Sequence, residues 1–179
     1  MKNNLFFDKN EEIDYEKLIE LNNHLGWFNE IGKFGIKNHY ADASAKTADD
    51  RVVNIELKNR NMVLSDDMLV LSGMSSSNRP YTADNVYIED HKVSDLMLDY
   101  IANGMIPLYI NFLADGNVLV FNLSKLTKRP VRNVNLKIKT KGYDSIEFGN
   151  RQGLLLEDAF IVDKNYVVIR NSKWTRKKS

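Results

Sequence analysis

The chain has no cysteine. Disulfides are excluded, as are metal sites built on thiolates, and the absence suits a reducing compartment such as the cytoplasm. No apolar run approaches the ~20 residues that a bilayer-spanning helix needs, so no membrane partner is expected. The first twelve residues hold too short an apolar core and too many acids for a secretory signal. Only three prolines and nine glycines punctuate the 179 residues. There is no internal repeat and no low-complexity tract. What remains, 43% hydrophobic and 27% charged, is the composition of an ordinary globular chain. The length fits one domain, or one domain with an appendage.

Charge is nearly balanced overall, at +1, but unevenly spread. Asp8, Glu11, Glu12, Asp14, Glu16, Glu20 and Glu30 make the first thirty residues acidic. Between 125 and 141 lie Lys125, Lys128, Arg129, Arg132, Lys137, Lys139 and Lys141 with no acid, and Lys173, Arg176, Lys177 and Lys178 make the end basic again. Such asymmetry points to a polyanionic partner, against the plainer reading of solvated loops and tail.

Residues 39–60 carry the chemistry. Val52, Val53, Ile55 and Leu57 are strand formers, and Ala48, Asp49 and Asp50 supply a polar turn. A hairpin turning about Asp49 places Asp42 opposite Glu56, with Cβ atoms only ~5 Å apart. Lys58, two residues beyond Glu56, shares that face, while Ile55 and Leu57 face a core. Two opposed carboxylates repel, and a hard divalent cation with oxygen ligands is a natural compensator. An adjacent lysine can orient a water and offset phosphate charge. The plainer alternative is an amphipathic hairpin with a solvated face and a surface ion pair. The acid-x-Lys tripeptide does not decide between them. Roughly two are expected from composition alone, and two occur, at Glu56–Lys58 and Asp90–Lys92.

The remaining elements follow from periodicity. A helix is expected over 13–25, with Tyr15, Leu18, Ile19 and Leu25 near one stripe. A first strand is expected near 34–37, and a short one at 68–71. Residues 72–80 read as a loop, from which Arg79 and Tyr81 could touch substrate. A second helix is predicted over 86–103, its stripe carrying Glu89, Val93, Leu96, Met97, Tyr100 and Ile101, with Gly104 as its C-terminal cap. Residues 106–113 form a central strand, Asp115-Gly116 a hairpin turn, and 118–123 its partner. Alternation over 131–141 puts Lys137 and Lys139 on one strand face, and a last hairpin spans 159–170. Trp174, among basic residues, could stack on a base or cover the hairpin.

The hairpin and this element order resemble the PD-(D/E)xK, or restriction-endonuclease-like, nuclease superfamily. Glu56-Leu57-Lys58 matches the E-x-K and Asp42 the upstream Asp, while Ala41 stands where the signature proline would be. The resemblance covers roughly residues 13–123. It implies an α/β (α+β) fold, a mixed central sheet flanked by helices in α-β-β-β-α-β order. Residues 1–126 would form the nuclease core and 127–179 a basic, β-rich extension on the same domain. It further implies a Mg²⁺ (or Mn²⁺) ion on Asp42, Glu56 and the Leu57 carbonyl, with Lys58 acting on the water nucleophile. Lys92 would be the helix lysine near the metal, and Glu16, Glu20 and His91 candidate accessory groups. DNA is the implied partner, held through Lys137, Lys139, Lys141, Lys173 and Arg176, and a second copy of the chain, in a homodimer, is a further partner to consider. In size the chain is similar to compact Holliday-junction resolvases and to phage or mobile-element nucleases. The superfamily also has non-catalytic members, so a nucleic-acid-binding or assembly protein on the same fold stands as the alternative.

Overall fold

The computed structural model describes residues 4–33, 41–66, 68–72, 82–126, 136–139, 146–149 and 151–170. For 4–10, 82–83, 136–139 and 146–149 it describes the backbone alone. Helix α1 spans Asn4–Leu25 and is followed by strands β1 (Phe28–Lys33), β2 (Ala43–Thr47), β3 (Val52–Arg60), β4 (Met62–Ser65), β5 (Met68–Leu71), β6 (Thr82–Ala83) and β7 (Asn85–Glu89). Helix α2 (Asp90–Asn103) leads into β8 (Ile106–Leu113) and β9 (Val118–Asn122). Then come β10 (Leu136–Lys139), β11 (Ile146–Gly149), β12 (Arg151–Leu155), β13 (Phe160–Val162) and β14 (Val168–Arg170).

The central sheet has seven strands in the order β1-β2-β3-β8-β9-β13-β14. Its middle pair, β3 and β8, is parallel, and its other neighbours are antiparallel. Parallel strands need covered faces, and both faces are covered. Val53, Ile55 and Leu57 join Leu18 and Leu21 of α1 in one cluster. Tyr109, Leu119 and Phe121 join Val93 and Leu96 of α2 in the other. Each such buried aliphatic side chain contributes roughly 1.5–3 kcal/mol relative to exposure. The result is an α+β fold around a mixed sheet with a helix on each face, consistent with the restriction-endonuclease-like fold expected. Among the described residues no helix is long and apolar enough to cross a membrane.

The first helix begins at Asn4, earlier than the 13–25 expected, and the first strand and second helix also differ from expectation. The first strand lies at Phe28–Lys33 and not near 34–37; residues 34–40 fall outside the described ones. Its start is fixed by Asn22, whose side chain both accepts the Phe28 N–H (2.8 Å) and donates to the Phe28 carbonyl (2.9 Å). The predicted 86–103 helix begins only at Asp90, because residues 85–89 pair as β7 with β12. Val86 and Ile88 are buried while Asn85, Tyr87 and Glu89 are half-buried, a strand's alternation and not a helix's. Ile101, expected on the buried stripe, is 76% exposed. Gly104 caps α2 as expected, at φ +71°, its N–H donating to the Tyr100 carbonyl at 2.9 Å.

Candidate functional site

The β2–β3 hairpin has the register that places the acids together. Ala43 pairs with Ile55 and Ser44 with Asn54, so the same register carries Asp42 opposite Glu56. The ladder ends there in an exchange of roles. The Asp42 N–H donates to the Ile55 carbonyl at 2.9 Å, and the Leu57 N–H donates to the Asp42 Oδ2 at 2.7 Å. A side-chain oxygen thus satisfies a backbone donor at the end of the pairing. Asp42 is half-buried and held by that bond, close enough for its charge to act on Glu56.

Glu56 is 1% exposed. Its Oε1 accepts from the Lys92 ammonium of α2. Its Oε2 is buried with no hydrogen-bond partner. Burial, and then the Asp42 carboxylate, push the Glu56 carboxyl up to about 8, while Lys92 and Lys58 act in the other direction. Burial works against the Lys92 ammonium, but Glu56, Asp42 and Glu89 outweigh it and hold its pKa above the ordinary lysine value. Lys92 therefore remains the charged member of the pair, and the Glu56 carboxyl is the group whose ionisation costs most.

Glu89 and Arg151 lie beside this centre. They sit on paired positions of β7 and β12, and the guanidinium reaches the Glu89 carboxylate at 3.2 Å. Burial raises the Glu89 carboxyl, but the charges of Lys58, Arg151 and Lys92, with a backbone hydrogen bond, hold it below the usual range. Beside Lys58, on the neighbouring strand β8, stands Asn111, and beside Glu56 stands Tyr109. Arg60 donates through Nε to the Asn111 Oδ1 at 3.0 Å and through a terminal nitrogen to the Tyr87 carbonyl and the Tyr109 hydroxyl. Burial, then the charges of Glu89 and Glu56, keep the Tyr109 hydroxyl un-ionised despite Arg60.

An acid from α1 completes the edge. Burial raises the Asp14 carboxyl, Lys17 lowers it, and Asp42 raises it further while Lys58 offsets. Asp14 accepts from the Asn59 amide, and Lys17 donates to the same amide's oxygen. Of the α1 acids considered from sequence, Glu16 is exposed, and Glu20 accepts from the Tyr166 hydroxyl at 2.6 Å in the β13–β14 turn. His91 is exposed on the first turn of α2. Lys137 and Lys139 lie on β10, whose side chains are outside the described residues, as are Lys141, Lys173, Trp174, Arg176, Arg79 and Tyr81.

Asp14, Glu89 and Arg151 were not singled out from sequence. Asp14 was findable: it precedes Leu18 by four and Leu21 by seven, so it continues the buried stripe, where an acid is out of place. Glu89 was hidden by reading β7 as helix. Arg151 was hidden because the five-residue strand Arg-Gln-Gly-Leu-Leu is too short to give a periodic signal.

Two facing carboxylates with one unpartnered buried oxygen fit a hard divalent cation that keeps several of its waters. Among the described residues no three or more His, Cys, Asp or Glu side chains gather closely enough to hold a metal by themselves. Water and a substrate phosphate would have to supply the rest.

No protein-family model matches the chain, and no curated protein matches its sequence. Among solved structures it is similar to Hjc, a Holliday junction resolvase from the archaeal hyperthermophile Archaeoglobus fulgidus. The similarity is 15% in identity, over 66% of this chain and 80% of that one, with a TM-score of 0.43. Neither figure transfers an activity, a substrate or a residue role.

Proposed function

We propose that the chain is a nuclease that hydrolyses DNA phosphodiester bonds with a Mg²⁺ or Mn²⁺ ion held by Asp42, Glu56 and the Leu57 carbonyl. The observation that carries this reading is the buried Glu56 with one oxygen unpartnered, opposed by Asp42 and flanked by Lys58 and Lys92. A buried, repelled carboxylate is costly and serves no structural need that an apolar residue would not meet better. A divalent ion there supplies an activated water and offsets phosphate charge. Lys58 orients the water and faces the developing phosphate charge. Lys92 donates to Glu56 in the free protein and would face the phosphate once a bound cation compensates that carboxylate. Arg151 holds Glu89, whose negative charge lies near enough to act on Lys58. Lys137, Lys139, Lys141, Lys173 and Arg176 would hold the DNA backbone, which gives affinity without sequence information.

The test is nicking of supercoiled plasmid with and without Mg²⁺ or Mn²⁺. Wild-type protein is expected to nick only with the ion, and Asp42→Asn and Lys58→Met are expected to lose at least 100-fold in rate. A second reading, a non-catalytic nucleic-acid-binding or assembly protein, is favoured by the Lys92 ammonium already seated on Glu56. Absence of cleavage with either ion would select it.

A further inference from the structure

We infer that a second site, on the opposite sheet face, binds a nucleotide through its base and its phosphate. A cavity of about 450 Å³ opens where β3 and β8 begin, lined on its apolar side by Trp27, Phe28, Val53, Leu108, Val120 and Phe160. It belongs to the α1 face, since most of these residues fall in the cluster that α1 covers. Val53 and Glu56 are three residues apart on β3, roughly 10 Å at ~3.3 Å per residue, and an odd spacing puts them on opposite faces of the sheet. The cavity is thus separated from the acid centre chiefly by the sheet itself.

Three features define the ligand. The volume lies within the roughly 300–1,000 Å³ of small-molecule pockets. The wall is aromatic: Trp27 meets Phe160 edge-on, centroids 5.2 Å apart at 70°, which suits a planar ring better than a flexible chain. The rim is cationic, with Arg51 and Lys125 and no acid among the lining residues. Asp49 engages the Arg51 Nε at 2.7 Å, leaving the outer guanidinium nitrogens for an anion. Asn122, 7% exposed, uses its Oδ1 for the Ser124 N–H and hydroxyl, so its amide N–H groups remain to read a base edge. The chain's own end is an unsuitable occupant, because Lys173, Arg176, Lys177 and Lys178 repeat the charge of the rim. A planar ring bearing a phosphate fits all three features. Its source is a free mononucleotide or the terminal nucleotide of a strand.

The test is calorimetric titration of the full chain in a chelator, so that no metal-dependent cleavage contributes. The probes are adenosine monophosphate, thymidine monophosphate, adenosine, decanoate and a short oligonucleotide with a terminal phosphate. The expected result is monophosphate binding with a Kd on the order of 10–100 µM, at least tenfold weaker for adenosine. Arg51→Gln/Lys125→Gln, which changes two exposed side chains, should weaken binding at least tenfold and leave melting unchanged. If only the oligonucleotide binds, and does so through Arg51 and Lys125, the ligand is a strand end. Absence of binding by every phosphate-bearing probe at millimolar concentration overturns the inference. So does binding that the double variant leaves unchanged, or binding of decanoate alone. None of these outcomes bears on cleavage, so this site and the acid centre fail or stand separately.

Discussion

Replacing Asp42 by alanine and by asparagine separates two roles that one side chain holds. Its charge raises the cost of ionising Glu56, and its Oδ2 accepts the Leu57 N–H at 2.7 Å. Leu57 is 4% exposed, so this donor has no ready access to water. Alanine removes both roles. Asparagine removes the charge and keeps an acceptor. Two unit charges ~5 Å apart interact by at most ~3 kcal/mol at an effective dielectric constant of 20, and Lys58 and Lys92 cancel much of that. Both variants gain the same relief, so their difference isolates the hydrogen bond. A buried N–H left without a partner costs about 1–3 kcal/mol. At this chain length each kcal/mol moves the melting temperature by roughly 2–4 °C. Asp42→Asn should therefore melt at or slightly above wild type, and Asp42→Ala roughly 2–12 °C below Asp42→Asn. Urea unfolding followed by circular dichroism gives the same comparison isothermally. If the two variants unfold together, the carboxylate does not terminate the β2–β3 ladder and the placement of Asp42 is wrong.

Glu56 gives a pH prediction with a definite sign. Its carboxyl lies at about 8 in the fold against an ordinary 4.5, so its contribution to stability is fully present below about pH 4.5 and is lost as pH rises through about 8. Glu56→Gln should flatten the fall in metal-free stability across that window, and an unchanged pH profile in that variant refutes the shift. Asp14→Asn should lower divalent-dependent cleavage at least tenfold while Glu16→Gln and Glu20→Gln stay within about twofold, measured as initial nicking rates; equal losses in all three would return the α1 role to a general acidic surface. Gly116→Ala should cost more than Gly104→Ala, about 2–3 against about 1 kcal/mol in chemical denaturation. Both glycines have positive φ, but a Cβ at 116 would meet the Lys164 Cβ at 2.9 Å while one at 104 meets nothing within 4 Å.

The central hairpin was legible because β3 carries its pattern openly. Val53, Ile55 and Leu57 alternate with Asn54, Glu56 and Lys58, and the polar turn at 48–50 fixes the register. The strand after α2 was legible for the opposite reason, since 106–113 is apolar on both faces and must be central. What stayed hidden depends on partners far along the chain. Residues 85–89 form a strand because 151–155 pair with them, and no local signal announces a partner more than sixty residues away. That pairing brings Arg151 to Glu89, so the omission concerned the site as well as the fold. Lys92 was placed near the acids on resemblance alone. Its contact with Glu56 depends on α2 crossing β8 beside β3, a tertiary fact.

Asp42 and Glu56 are proposed to form a divalent-cation site. The most direct measurement is the melting temperature of wild type and Glu56→Gln with and without millimolar Mn²⁺. A ligand that binds only the folded chain raises stability by mass action, by about 2.7 kcal/mol at a hundredfold excess over Kd. Wild type should show a clear Mn²⁺-dependent rise and Glu56→Gln little or none. An equal rise in both proteins, or none in wild type, contradicts that site.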